Sequence, residues 1–123
     1  MLTESQITRL LDIANAGCHK GLVLQARAIY DGVLAVRPGH VPALIGQALS
    51  HIVIGEYDEA EKLLCDGVLS EHPDDADARA VLGLCLCLAD KKEEARAVLS
   101  PLAENGGQNA ELARSLLENM DAA

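Results

Sequence analysis

The sequence predicts an all-α fold of three repeated helix pairs and a closing helix, on two observations. Half of the 123 residues are apolar, yet there is no Phe or Trp and only Tyr30 and Tyr57 are aromatic. The apolar content is Leu, Ala and Val beside many Glu, a mixture that favours helices packed on helices. The second observation is that the chain repeats itself. "ARAIYDGVLAVRPGHVPAL" (Ala26 to Leu44) and "AEKLLCDGVLSEHPDDADAR" (Ala60 to Arg79) both run through Ala, DGVL, Pro, a polar turn and a new Ala-containing helix. The offset is 34 residues for Ala26/Ala60 and 35 for Asp31/Asp66 and Pro38/Pro73. The second copy therefore holds one extra residue between its Ala and its DGVL. A third copy begins after Asp75, with Ala95 in the place of Ala26 and Ala60. A period of this length marks stacked supersecondary units, each too small to bury its own apolar face. At this length the chain makes one small domain.

Start and stop signals divide each unit into two helices. Thr3 with Gln6 forms a capping box for the first, roughly Glu4 to Cys18. "GCHKG" breaks that helix, and the second runs from about Leu22 to Arg37, ending before Pro38. "RPGHVP" is a turn, with Pro42 suited to an early helical position. Helix three ends at Gly55. Asp58 with Glu61 is expected to cap helix four, which stops before Pro73. Asp74 and Asp75 open helix five, and "ADKKEE" separates it from helix six. Pro101 is expected to kink or shorten helix six. "NGGQN" ends it, and Ala110 to Met120 forms a seventh.

Charge narrows the partners. Nineteen acidic residues against ten basic ones give a formal charge of −9. A phosphate-binding surface needs clustered Lys and Arg, and here they are scattered. Two aromatics make a poor stacking platform for single-stranded nucleic acid. Nucleic acid and anionic membrane are therefore not expected as partners, and an acidic surface favours basic or neutral ones. "MLTESQITRLLDIA" has no positive start and long apolar core, so it does not read as a signal peptide. No apolar run approaches a bilayer span. Cys18, Cys65, Cys85 and Cys87 are too sparse for a secreted disulfide framework. The expectation is a cytoplasmic protein with reduced thiols.

No residue pattern demands chemistry. Cys85 and Cys87, in "AVLGLCLCLAD", sit two helical steps apart, about 200° around the axis. Their sulfurs diverge and cannot share a metal or form a disulfide without unwinding the helix. Cys18-His19 and Cys65 do not supply a converging second pair. His40 and His72 fall in equivalent turns and read as solvated, while His51 reads as a hydrogen-bonded packing residue. His19 beside Cys18 lacks the orienting group that a Cys–His nucleophile needs. "EYDEAE" and "HPDDAD" lack the alternating oxygen ligands and Gly of a calcium loop. Both lie where helices begin, and acids favour that end of the helix dipole. No catalytic residue, cofactor or metal is expected.

Seven short helices at this period resemble tetratricopeptide repeats. The family pattern places Leu-Gly and then an aromatic on the first helix of a unit, Ala and an aromatic on the second, then Pro. Leu82-Gly83 matches in the third unit, Ala26 with Tyr30 and Pro38 in the first, and "GEYDEA" in the second. Ala60, Leu64 and Pro73 follow, with Pro73 displaced one place. The signature Trp is absent, Pro101 interrupts the third unit, and Gly32 and Gly67 sit inside helices. The resemblance covers about residues 7 to 104. It implies a short right-handed superhelical solenoid with repeats at about 7–40, 41–75 and 76–107, and a solubilising helix at about 109–121.

In such a stack, first helices pack inward with one face and line a concave groove with the other. Carrying that register over puts Leu82, Gly83 and Leu86 in the core. It turns Ala80, Leu84, Cys87 and Leu88 toward the groove, with Ile45, Leu49, Ile52 and Val53 from the second repeat and Leu11, Asn15 and Cys18 from the first. A patch on the order of several hundred Å² marks an interaction site. Three occupants suit it: a partner segment, the seventh helix through Leu112, Leu116 and Leu117, or a second copy of the chain in a homodimer. Relatives that grip a C-terminal carboxylate use Lys, Arg and Asn on these faces. Here Ile, Leu, Val and Cys point instead to an apolar or amphipathic protein segment. Small three-repeat proteins of this kind resemble the tetratricopeptide chaperones and assembly factors of bacterial type III secretion systems. "ALIGQALSHIVIGEYDEAEKLL" and "AVLGLCLCLADKKEEARAVL" carry that resemblance, which implies shielding of an aggregation-prone secreted subunit. A general scaffold or a dimeric adaptor in another cytoplasmic complex is the alternative.

Overall fold

The computed structural model describes residues 2–122, without the side chains of Gln108 and Ala122. Seven α-helices follow in order: α1 (Glu4–His19), α2 (Val23–Val36), α3 (Val41–Val53), α4 (Tyr57–Lys62), α5 (Ala76–Leu88), α6 (Lys92–Asn105) and α7 (Gln108–Ala122). Helix α4 passes without a break into a π-helical segment, Leu63–Leu69. No strand occurs among the described residues. The fold is an all-α, tetratricopeptide-like helical-repeat solenoid. Its odd-numbered helices lie side by side in the order α1, α3, α5, α7; α1 packs against α2, and each later one packs against the even helix before it.

Local chemistry explains the helix ends. The Thr3 hydroxyl accepts from the Gln6 N–H at 3.1 Å, and the Gln6 side chain accepts from the Thr3 N–H at 2.9 Å, completing the expected box. Asp75 caps α5 by accepting from the Ala78 N–H at 2.9 Å. The Asp58–Glu61 box does not form. Helix α4 begins two residues earlier, after Glu56, with no side-chain cap, and Asp58 lies inside its first turn beside Glu59. There both acids face the positive end of the dipole rather than an orphan N–H. Gly21, Gly55 and Asp90 stand at equivalent places after the first helix of each unit, all with φ between 63° and 85°. Asp is among the few residues that tolerate the left-handed region where Gly is the default.

The extra residue of the second repeat is absorbed by the π-segment. From Ala26 onward the buried positions of α2 are Ala26, Tyr30 and Val33; in the second repeat they are Ala60, Leu64 and Val68. The last step lengthens from three residues to four, and Cys65 is the residue without a counterpart. A π-turn widens the backbone ring by one residue, so Val68 returns to the core despite the insertion.

Helix α6 continues past Pro101 to Asn105, so the proline does not shorten it. Pro101 and Ala97, whose carbonyl loses its usual donor, are both exposed, and water can replace the missing N–H. The core has two parts. One gathers Ile7, Leu11, Ala14, Cys18, Ala26, Tyr30, Val33 and Ala43 in and beside the first repeat. The other joins the second and third repeats to α7 around Leu64, Val68, Leu82, Leu86 and Leu99.

Candidate functional site

The odd-numbered helices enclose a groove of about 490 Å³. Helix α3 contributes Val41, Pro42, Ile45, Gly46 and Leu49; α5 contributes Ala80 and Val81, with Asp77 in its first turn and Asp75 at its cap. Asn15 of α1 closes one side, and Asn109 and Leu112 of α7 close the other. Residues at i, i+4 and i+8 of α3 share one stripe, which is why Val41, Ile45 and Leu49 form a continuous apolar wall.

The groove's polar groups are tied down by neighbours. Asn15 accepts a hydrogen bond through Oδ1 from the Tyr30 hydroxyl. Burial pushes the Tyr30 phenol up to about 12, and the nearby Cys18 adds to the shift. At the other end, Asp77 accepts from the Asn109 amide at 3.1 Å, linking the starts of α5 and α7. Asp75 and Asp77 are the charged residues of the lining, so the groove is apolar along its wall and negative at one end.

The eleven residues assigned to the groove by register separate into groups. Asn15, Ile45, Leu49 and Ala80 line it together. Leu11 and Cys18 belong to the first-repeat core and Ile52 to the larger core, where their exposures are 7%, 4% and 6%. Leu84 is half-buried. Val53 and Leu88 are about half exposed, near the ends of their helices and outside the lining. Cys87 is taken up by α7: its Sγ lies 3.5 Å from the Met120 sulfur. Leu116, Leu117 and Met120 pack against the larger core, while Leu112 remains 42% exposed as a groove wall. The closing helix thus borders the groove and covers its far end only.

Register alone did not identify Val41, Pro42, Gly46, Val81 or the two acids. Val41 lies one turn before Ile45 on the same stripe. Gly46 is at the lining because Tyr30, fully buried, occupies the space a side chain there would need. The acids follow from helix starts that open on the same side.

The cysteine pair diverges as the spacing requires. Cys85 is buried, with its thiol 3.3 Å from the Tyr57 carbonyl, whereas Cys87 faces α7. All four thiols are free. Burial pushes each upward, Cys85 to about 11 with help from the Glu61 carboxylate. Raised thiols are poor nucleophiles and poor metal ligands at neutral pH. His51 is a packing residue in a polar tie between repeats: Arg27 reaches Ser50 at 3.0 Å, His51 at 2.7 Å and Glu56 at 2.8 Å. His51 Nδ1 also lies 2.7 Å from Glu56. Among the described residues, no three His, Cys, Asp or Glu side chains converge on one point.

A stack of helix pairs with an apolar groove along one face defines a class of protein-binding repeat proteins. Residues 63–120 match the family model described as tetratricopeptide repeat. By fold and by this match the chain is similar to proteins built as protein–protein interaction modules, which are generally non-catalytic scaffolds. No curated protein matches the chain. Among the described residues, no helix is long and apolar enough to cross a membrane.

Proposed function

We propose that the chain is a cytoplasmic, non-enzymatic binding protein whose groove accepts an apolar or amphipathic segment of a protein partner, as a type III secretion chaperone or assembly factor does. The observation that carries this reading is the open apolar wall of Ile45, Leu49, Val81 and Leu112, bounded by Asp75 and Asp77. A helix with apolar side chains at one-turn spacing would fill the wall, and a basic residue near its end would meet the two carboxylates. Such a ligand hides on the chaperone the same surface that makes it aggregate. A scaffold role in another complex uses the same groove with a different partner.

The test is co-expression with candidate secretion subunits carrying one amphipathic terminal helix, followed by co-purification and a thermal melt. Leu49→Asp should abolish capture while retaining helicity, because an acid on the open groove wall is reached by water in the free protein and becomes an unpaired buried charge in the complex. Leu82→Ala should instead cost about 2–5 kcal/mol of stability, as a core cavity does. If Leu49→Asp unfolds as badly as Leu82→Ala, the wall is core and the groove reading fails. If capture is intact with Leu49→Asp, the partner binds elsewhere.

A further inference from the structure

The first repeat carries a second apolar surface, distinct from the groove. Ile13 of α1 is 55% exposed, and in α2 and the turn before it Leu24 is 78% and Leu22 47% exposed. Ile13 and Leu22, with Gln25 and Ile29, border a shallow depression of about 330 Å³ at the outer end of the solenoid, and Leu24 stands exposed one residue before Gln25. The repeat period gives the counterpart of each residue. Ile13 corresponds to Gln47 and Leu82. Gln47 is covered by α2, where it donates to Asp31 at 2.7 Å, and Leu82 is buried against the preceding repeat. Leu22, Leu24 and Gln25 correspond to Glu56, Asp58 and Glu59 in the second repeat and to Lys91, Glu93 and Glu94 in the third. The first turn of α2 thus has no acid, whereas those of α4 and α6 each have two. An acid there is favoured by the helix dipole and by water, so exposed leucines cost the free chain on both counts.

We propose that this end is a self-association face, on which two copies stack first repeat to first repeat about a two-fold axis. The interior of the molecule shows what covers such a face: the helix pair of another repeat. The opposite end cannot serve as that cover, since the outer side of α7 exposes Glu111, Arg114 and Glu118, the polar finish that terminates a solenoid. Head-to-tail stacking would bury those charges, whereas two first-repeat ends meet with leucine, isoleucine and glutamine, and only Lys20 at the margin. The chain as a whole bears a formal charge of −9, and this is a surface where two copies approach without acid facing acid. The groove remains open in the pair, so this interface is independent of the reading given above.

Sedimentation equilibrium on the full chain, from low micromolar to millimolar concentration, tests it. The wild type should dimerise. Restoring the charges of the second repeat, Leu22→Glu with Leu24→Asp and Gln25→Glu, should raise the dimer dissociation constant about a hundredfold or more. The circular dichroism should be unchanged and the melting temperature no lower. Leu24→Asp alone, at a side chain too exposed to matter for folding, should move the equilibrium in the same direction, and Leu49→Asp should leave it unmoved. A wild type that stays monomeric throughout overturns the proposal. So does a triple variant that dimerises as tightly as wild type, or a dimer broken by Leu49→Asp instead.

Discussion

Leu99 of α6 lies directly over Gly83 of α5, so close that a methyl group at 83 would fall inside the leucine's van der Waals surface. Leu99 is fully buried and has nowhere to move. Gly46 stands in the same relation to the ring of Tyr30. Gly83→Ala and Gly46→Ala should therefore each destabilise by about 1–3 kcal/mol through overpacking. Gly32, inside α2, has open space where its side chain would be. Gly32→Ala should stabilise by about 0.5–1 kcal/mol, by removing glycine's entropy from a helix interior. Urea unfolding of the three variants gives both signs in one experiment.

Deleting Cys65 should leave the protein folded and at least as stable. An ordinary deletion within a helix turns everything beyond it by about 100° and empties the core. Here the deletion removes the residue that the π-segment accommodates, and the Ala, Leu, Val spacing of the first repeat is restored. A melt of the deletion variant, compared with deletion of Leu64 beside it, distinguishes a tolerated insertion from a required one.

Acid should loosen the tie between the first and second repeats. Hydrogen bonds from Arg27 and then His51 hold the Glu56 carboxyl below its usual 4.5. Because the folded value is lower than the unfolded one, the carboxylate stabilises the fold above about 4.5, and that contribution disappears as pH falls through the depressed folded value. Glu56→Gln should be less stable than wild type at neutral pH, and the two should converge in acid. Denaturant midpoints measured across that range check the convergence.

The repeat phase, the Thr3 box, the Asp75 cap and the divergence of Cys85 from Cys87 were all legible in the sequence, because each depends on spacing along one helix or on one turn. The single-residue offset between repeats was legible too, but not the π-geometry that absorbs it, since that is decided by whether Val68 can regain the core. Pro101 does not shorten its helix, for a related reason. A proline's cost depends on whether its helix face meets water or protein, and here it meets water. The groove assignments were least legible where two faces adjoin. Leu11 and Ile52 lie within one helical step of the wall, and only packing against the even helices draws them inward. Cys87 lies on the correct side of α5, but Met120 reaches it first.

The division of the core into two clusters has a consequence for how the molecule opens. The second and third repeats and α7 share one continuous apolar interior, while the first repeat joins them through Ala43, Tyr30 on Gly46 and a set of polar bonds partly reached by solvent. Such a seam separates cooperative units, and the unit with the thinner attachment opens at lower free energy. Amide hydrogens of α1 and α2 should exchange ahead of those in α5 and α6, as one group and without waiting for global unfolding. The amide clock of the protein thus runs at two speeds, with the boundary at the turn before α3.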